Sequence, residues 1–275
     1  MDEGIGSPGR STRQQERQRA ISEMVMAEGA VRIDQLAERF GTSQMTIHRD
    51  LDELEARGLV RKSRGVATAL SSSLVESSDV YRTGQQQEEK ADIARAALDF
   101  IEAGQAVFVD DSTTVLQLTK LLGSRTPLTV LTNVLTIMEE LKDTRGISLV
   151  AIGGAYFNWC SAFMGSMTTD AIRKLRADVF VMSTAAIIDD VCFFQNQATV
   201  EVKRAMFESS ATRILLADHT KFTKRALYAL APLAEFDAVI VDAKTSQEDI
   251  RRLSSRGVNV VVARPQSLHP QQSAG

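Results

Sequence analysis

The sequence has few of the residues on which disulfide frameworks, metal centres and membrane spans depend. Its 2 cysteines and 3 histidines are scattered over 275 residues, so neither a disulfide framework nor a metal cluster is indicated, and no cofactor is predicted. No apolar run approaches the length of a membrane span, and the polar N-terminus lacks the apolar segment of a signal peptide. These absences predict a cytoplasmic protein.

The sequence also lacks a large excess of positive charge. A net charge of −3 argues against a protein that coats nucleic acid without specificity, and the basic residues concentrate locally at 10–19 and 57–64. Length and a hydrophobic content of 44% suit one small and one larger domain. We predict a first domain at 14–69, a Ser- and Gln-rich linker at 70–87 and a second domain at 88–265.

The most informative stretch, 33–65, has the pattern of two amphipathic helices joined by a tight turn. Asp34 and Ser43 are expected to cap the two helices, and Gly58 is expected to end the second. Apolar residues at helical spacing define an inward face on each helix: Leu36, Ala37 and Phe40 on the first, and Ile47, Leu51 and Leu54 on the second. This pattern predicts a helix-turn-helix, whose second helix commonly enters a DNA major groove.

Base-reading residues usually lie in the first half of such a recognition helix. The candidates here are Ser43, Gln44, Met45, Thr46, His48 and Arg49. Arginine can bond to guanine through two hydrogen bonds and glutamine to adenine, whereas serine and threonine more often hold phosphate. The acidic residues of this helix are expected to be solvated or paired with Arg49 and Arg57; they are Asp50, Asp52, Glu53 and Glu55.

Two short apolar runs around a basic Ser-Arg-Gly turn follow at 59–68. They predict a β-hairpin, which directly behind a recognition helix is a wing. Its basic residues Arg61, Lys62 and Arg64 are expected to contact phosphate or enter the minor groove. A helix at 14–28 and a short strand at 31–32 are expected to pack with the motif. The alternative is a solvated helical hairpin with a charged loop.

From residue 88 onward, wholly apolar runs alternate with helical patterns, which indicates a parallel sheet covered on both faces. The expected strands are 106–109, 128–131, 147–152, 179–182, 214–217, 238–241 and 258–263. The expected helices after the first strand are 115–122, 134–141, 169–175, 200–209 and 247–255. Ligands of such sheets collect at the carboxyl ends of the strands.

Four polar turns follow expected strands. They are Asp110–Thr114, Thr132–Asn133, Gly153–Gly154 and Asp218–Phe222. Hydroxyls and amides at the start of a helix suit a phosphate, paired glycines permit a close approach by a ligand, and Lys221 offers a point charge. Four polar turns at successive strand ends therefore indicate a ligand site.

Over about residues 17–243 the chain resembles the DeoR-type bacterial transcriptional regulators, the group that includes the glycerol-3-phosphate repressor. The first domain matches the family pattern at Leu36-Ala37, Phe40, Thr46-Ile47-His48-Arg49-Asp50-Leu51 and Leu54-Glu55. The second matches it at Asp110 to Thr114, Thr132-Asn133, Gly153-Gly154, Glu201 with Lys203, and Asp218 to Phe222.

The resemblance implies an α/β protein in which a winged helix-turn-helix domain precedes an α/β sensor domain similar to ribose-5-phosphate isomerase. It also implies a non-enzymatic repressor of a carbohydrate or related catabolic operon, which binds double-stranded operator DNA and releases it when a phosphorylated sugar or similar metabolite binds. A homo-oligomer, either a dimer or a tetramer, is expected because paired half-sites require symmetric readers. The implied effector-binding residues are Asp110, Ser112, Thr113, Thr114, Asn133, Gly153, Gly154, Glu201, Lys203 and Lys221.

Some residues depart from the family pattern. His48 replaces an arginine, Ser112 replaces the glycine of the anion loop beside the acidic pair Asp110–Asp111, and 185–192 lacks the usual glycines. An alternative function is a sugar-phosphate isomerase with an accessory DNA-binding domain, for which Glu201 is the obvious general base. The aromatic cluster at 156–159 fits either packing or a lid over a ligand.

Overall fold

The computed structural model describes residues 10–28, 30–56, 59–69 and 79–265. The chain divides into two compact units between Gln85 and Gln86. A short helix, Asp79–Gly84, lies within the segment expected to be a linker. Residues 70–78 of that segment lie outside the described residues, and the exact domain limits stay a prediction. No helix among the described residues is long and apolar enough to cross a membrane.

The N-terminal unit is the winged helix-turn-helix that the sequence predicts. Its elements are α1 (Arg10–Glu28), β1 (Ala30–Arg32), α2 (Ile33–Arg39), α3 (Gln44–Ala56), β2 (Val60–Ser63), β3 (Val66–Ala69) and α4 (Asp79–Gly84). The strands form an antiparallel sheet in the order β1-β3-β2. Its core contains the apolar faces of the helices and the start of the wing: Ile21, Leu36, Ile47, Leu51, Leu54 and Leu59 are all fully buried.

Of the expected helix caps, one is found and one is not. The Ser43 hydroxyl accepts a hydrogen bond from the Thr46 backbone N–H at 3.2 Å, which satisfies a free donor at the start of α3. Asp34 instead lies inside the first turn of α2, where its carboxylate pairs with Arg32 at 2.7 Å. Arg32 occupies the cap position, and its backbone N–H donates to the Gln35 side chain at 3.3 Å. Gly58 lies outside the described residues.

The turn of the wing, which we define as β2, β3 and the turn between them, is a two-residue hairpin. Arg64 and Gly65 both have positive φ, at 49° and 78°. This left-handed pair is typical of a type I′ turn, whose twist matches the flanking strands. A residue with a Cβ is uncommon at such a position, so the backbone is locally strained at Arg64. Arg64 is exposed at the tip of the wing.

The C-terminal unit contains the parallel sheet that the sequence predicts. Seven strands pair in the order β15-β14-β12-β9-β4-β5-β6, and every pairing is parallel. They are β4 (Ala106–Val109), β5 (Leu128–Thr132), β6 (Ile147–Ala151), β9 (Ala177–Ser183), β12 (Ser210–Ala217), β14 (Ala238–Val241) and β15 (Val260–Val262). The α-helices are α5 (Gln87–Ala97), α6 (Thr113–Thr119), α7 (Leu135–Leu141), α8 (Ser166–Arg173), α9 (Gln197–Glu208) and α10 (Gln247–Ser255).

Two small antiparallel sheets lie in segments that the sequence analysis left unassigned. One is the hairpin of β7 (Ala155–Phe157) and β8 (Ala162–Met164), and the other joins β10 (Ala186–Ile188), β11 (Val191–Phe194) and β13 (Tyr228–Pro232). In the first, Phe157 and Trp159 pack against the hydrophobic core with ring centroids 6.5 Å apart. For these two aromatic residues the structure therefore supports packing.

Candidate DNA-binding surface and effector site

Helix α3 separates an inward and an outward face at its N-terminal end. Ile47 is fully buried, whereas Met45 is 64% exposed and Gln44 and Arg49 are also exposed. Thr46 and His48 are partly buried beside this face. The exposed residues therefore carry one donor for guanine, one amide group for adenine and one apolar side chain that suits a thymine methyl group.

Asp50 differs from the expectation that the acidic residues of α3 are solvated or paired with Arg49 and Arg57. It is 1% exposed, and its carboxylate accepts hydrogen bonds from Arg17 at 2.6 Å and Gln18 at 3.2 Å, both on α1. Glu53 also accepts from Gln18, at 2.5 Å. These bonds attach the recognition helix to α1 and neutralise the buried Asp50 within the N-terminal unit.

The wing is tied to α3 through Lys62. Its ammonium group forms an ion pair with Asp52, and its backbone N–H donates to Glu55 at 2.9 Å. Arg61 and Arg64 are exposed. Of the three basic wing residues in the prediction, Lys62 is paired with an acidic residue of α3, whereas the two arginines are exposed to solvent.

In the C-terminal unit, Lys203 on α9 bridges two carboxylates that follow β4. The Lys203 Nζ lies 2.5 Å from Asp110 Oδ2 and 2.5 Å from Asp111 Oδ1. The Asp110 carboxylate also accepts from the backbone N–H groups of Ser112 and Ser183, at 2.9 and 3.1 Å. The side chains of all three charged residues are at most 6% exposed. This buried triad joins the carboxyl ends of β4 and β9 to α9.

The two aspartates of the triad stabilise the charged form of Lys203. Burial disfavours the Lys203 ammonium, but Asp110 and Asp111 outweigh it and raise the pKa of Lys203. The Lys203 ammonium also lies 5.1 Å from the centre of the Phe194 ring. Burial raises the pKa of the nearby Cys192 thiol to about 12, despite opposing effects of Thr184 and Lys203, so this cysteine is a neutral packing residue.

The hydroxyl residues after the triad begin α6. The Ser112 Oγ accepts from the Val115 backbone N–H at 3.2 Å, which makes Ser112 the N-cap. Thr113 and Thr114 are 5% and 2% exposed. Ser112 therefore performs a helix-capping role at the position where the family pattern has glycine, and both threonines lie beneath the surface.

The structure uses three of the predicted ligand-facing residues for internal contacts. The Asn133 side chain donates to the Phe163 carbonyl at 2.7 Å, which ties the end of β5 to β8. The Gly153 carbonyl accepts from the Thr168 hydroxyl at 2.9 Å, and a Cβ on Gly154 would collide with that hydroxyl. The glycines thus permit a close approach by Thr168, and their predicted contact with a ligand stays a prediction.

Glu201 and Lys203 were predicted to act together, but they lie on different sides of α9. Glu201 is exposed and accepts a hydrogen bond from Gln197 at 3.0 Å, whereas Lys203 is 3% exposed. Residues two apart on a helix point in nearly opposite directions. The buried triad therefore includes Lys203 and does not include Glu201.

Asp218 and Lys221 form a second charged group, after β12. Asp218 is 1% exposed; its Oδ1 accepts from the Thr220 N–H at 3.0 Å, and Lys221 Nζ lies 3.6 Å from its Oδ2. Burial opposes the charge on Asp218, but Lys221, the Thr220 hydrogen bond and Lys90 together hold the pKa of this carboxyl below its usual value. Lys221 is therefore a buried cation at the sheet edge where the ligand site was predicted.

Sequence reasoning missed the neighbouring pair His219 and Asp242. The His219 Nδ1 lies 3.1 Å from the Asp242 carboxylate, which also accepts from the Lys244 N–H at 2.8 Å. The signal in the sequence was an aspartate directly after an apolar strand at 242. Among the described residues, no group of three histidine, cysteine or acidic side chains is placed to hold a metal ion.

Comparison with known proteins agrees with this arrangement. The DeoR-like helix-turn-helix domain matches residues 17–73, and the DeoR C terminal sensor domain matches residues 85–243. The chain belongs to the DeoR family. It is a DNA-binding transcriptional regulator of that family with a C-terminal sensor domain.

Two relatives in the DeoR family match most of the chain. The transcriptional repressor AccR of Agrobacterium fabrum is 33% identical over 84% of this chain and 90% of its own length. The glycerol-3-phosphate regulon repressor of Escherichia coli is 32% identical over 84% of this chain and 92% of its own. Among solved structures, the ribose-5-phosphate isomerase of Methanocaldococcus jannaschii matches with a TM-score of 0.36 and 11% identity over 48% of this chain and 53% of that one.

One departure from the DeoR pattern has a structural explanation. In the glycine-poor segment 185–192, Asp189 and Asp190 take the left-handed conformation, with φ of 51° and 60°, between β10 and β11. Aspartate tolerates this conformation better than most residues. The Asp190 carboxylate accepts hydrogen bonds from Arg252, at 3.2 Å, and from Arg256. These bonds tie the turn to α10 and stabilise it in the absence of glycines.

Proposed function

We propose that this protein represses a carbohydrate or related catabolic operon and leaves its operator when a phosphorylated sugar or similar metabolite binds the C-terminal unit. The observation that carries the DNA-binding half is the exposed face of α3 with Gln44, Met45 and Arg49 beside a basic wing. The names of the two relatives, both repressors, support the direction of regulation.

The effector-binding half of the proposal depends on the charged residues at the carboxyl edge of the parallel sheet. Lys221 is a buried cation there, and Asp110 and Asp111, which pair with Lys203, are buried acceptors. Cations suit a phosphate and carboxylates suit sugar hydroxyls. Ligands of open α/β sheets bind at this edge, which supports the assignment.

An isomerase is the less favoured alternative. Aldose–ketose isomerisation needs a general base that is held beside the bound substrate. Glu201, the candidate base, is exposed and paired with Gln197 on the side of α9 away from Lys203. We therefore propose a regulator without catalytic activity. We also propose a dimer or tetramer, because paired operator half-sites require symmetric readers.

Arg49→Ala is expected to weaken operator binding about 10- to 100-fold, the usual loss when an arginine–guanine contact is removed. Electrophoretic mobility shift and footprinting at two salt concentrations measure the effect. Arg251→Ala removes an equal charge from the exposed face of α10 and is the control. A footprint that Arg49→Ala leaves unchanged would contradict the proposed groove contact.

A phosphorylated sugar is expected to raise the melting temperature of the protein and to weaken its operator binding. A ligand at 100 times its Kd stabilises the folded state by about 2.7 kcal/mol, which a thermal-shift screen detects. The screen compares phosphorylated sugars, free polyols and sugar acids, and the hits are then tested for operator release. If no compound changes either the melting temperature or operator affinity, the effector half of the proposal fails.

A further inference from the structure

We infer that Lys90, in the first helix of the C-terminal unit, is a phosphate-binding residue of the effector site and acts there together with Lys221. This inference rests on the proposed response to a phosphorylated metabolite. Neither the sequence motifs nor the family pattern quoted above includes Lys90.

The position of α5 brings Lys90 to the correct edge of the sheet. Glu89, its neighbour in the chain, forms an ion pair with Lys244, which follows the carboxyl end of β14. Helix α5 packs against α6 and against strands β12 and β14. Its first turn therefore lies where the ends of β12 and β14 meet, beside Asp218 and Lys221.

Lys90 is unusually buried for a lysine, at 3% exposure. It shares a face of α5 with Ile93, Ala94 and Ala97, which are all fully buried. A lysine is almost never fully buried unless charged or polar partners compensate for the loss of water. A lysine on an otherwise apolar helix face therefore indicates that Lys90 has a specific role.

The Asp218 carboxylate interacts with both buried lysines. Lys221 Nζ is 3.6 Å from Asp218 Oδ2, and among the described residues this oxygen receives no hydrogen bond within the usual limits. Both Lys221 and Lys90 stabilise the charged carboxylate. Two cations thus act on one carboxylate, which leaves an excess of positive charge for a phosphate to neutralise.

The other charged groups at this edge are already engaged differently. Lys203 is held by Asp110 and Asp111, and Asp242 by His219 and the Lys244 backbone. The edge is therefore divided into a cationic end at Lys90 and Lys221 and an acceptor-rich end at Asp110 and Asp111. This division orients a phosphorylated sugar or polyol, with its phosphate at the cationic end and its hydroxyls at the other.

The experiment measures binding of inorganic phosphate and of glycerol 3-phosphate to the full-length protein by calorimetry and thermal shift. Lys90→Gln removes the charge but keeps a polar group, and it is expected to weaken binding of both probes at least 10-fold, as is Lys221→Gln. Lys90→Arg keeps the charge and is expected to retain more of the affinity than Lys90→Gln. Lys174→Gln is the control, because Lys174 is an exposed lysine at the end of α8.

The outcomes separate this inference from the proposed function. If Lys221→Gln abolishes phosphate binding and Lys90→Gln leaves it unchanged, the role of Lys90 is overturned. The proposed function then stays intact. A wild-type protein that responds only to unphosphorylated ligands would overturn the phosphate site itself. Circular dichroism of each variant establishes folding. Where Lys90→Gln does not fold, loss of phosphate affinity in Lys221→Gln together with retention in Lys90→Arg supports the site. Equal loss of affinity in Lys174→Gln overturns it.

Discussion

Replacing Lys203 with methionine is expected to lower the free energy of unfolding of the C-terminal unit by about 3–5 kcal/mol, because removal of one partner from a buried ion pair leaves uncompensated charge. Here two carboxylates, Asp110 and Asp111, would lose their shared cation at positions that water barely reaches. Urea unfolding measures the change. Trp159 is the only tryptophan of the sequence, so its fluorescence reports this unit alone.

The control for this variant is Lys174→Met, which removes an exposed lysine and is expected to change stability little. Combining Lys203→Met with Asp110→Asn and Asp111→Asn removes all three charges and is expected to recover part of the loss. Equal stability of Lys203→Met and Lys174→Met would show that the triad contributes nothing to folding.

The pH dependence of the Lys203 contribution follows from the direction of its pKa shift. The folded protein raises the pKa of Lys203 above its ordinary value of 10.5. The stabilisation is therefore complete below pH 10.5 and is lost as pH rises through the folded-state pKa. Lys203→Met lacks this alkaline loss, so the difference in stability between the two proteins should narrow at strongly alkaline pH.

Asp50→Ala is expected to destabilise the N-terminal unit by about 3 kcal/mol, because the Asp50 carboxylate is buried and hydrogen-bonded to two side chains. The change removes one of the two acceptors of the buried Gln18 amide and leaves the Arg17 guanidinium without its counter-ion. Amide hydrogen exchange of α3 measures the effect in this unit, which contains no tryptophan. Operator binding should fall with it, since α3 loses its attachment to α1.

Asp52→Ala is the matched control on the same helix. The Asp52 side chain is 59% exposed, although it pairs with Lys62 of the wing. Exposed ion pairs contribute about 0–1 kcal/mol, so this variant should stay near wild-type stability. Faster exchange throughout α3 in Asp52→Ala than in Asp50→Ala would reverse the expected order and refute the importance of the Arg17–Asp50 pair.

The sequence predicts those parts of the fold that depend on local periodicity. The apolar spacing of Ile47, Leu51 and Leu54 is sufficient to find α3, and wholly apolar runs such as Val107–Val109 are sufficient to find parallel strands. The short strands β7 and β10 were not predicted, because three residues are too few to show the alternation of apolar and polar residues that indicates a strand.

The contacts of the charged residues were harder to predict, since they join distant parts of the chain. Asp50 lies 33 residues from Arg17, and Lys203 lies 93 from Asp110 and 92 from Asp111. Spacing in one sequence identifies that a residue is charged, but not which remote partner neutralises it. Glu201 was grouped with Lys203 for a different reason, the family pattern, although the helix period directs the two side chains apart.

The adjacent aspartates after β4 have a consequence for the selectivity of the proposed effector site. Because Asp110 and Asp111 both lie against Lys203, this cation is already neutralised within the protein. A second anionic group on a metabolite would meet two carboxylates at this end of the site, whereas hydroxyl groups would find acceptors there. Under the proposed function, metabolites with a single anionic group are therefore favoured over those with one at each end.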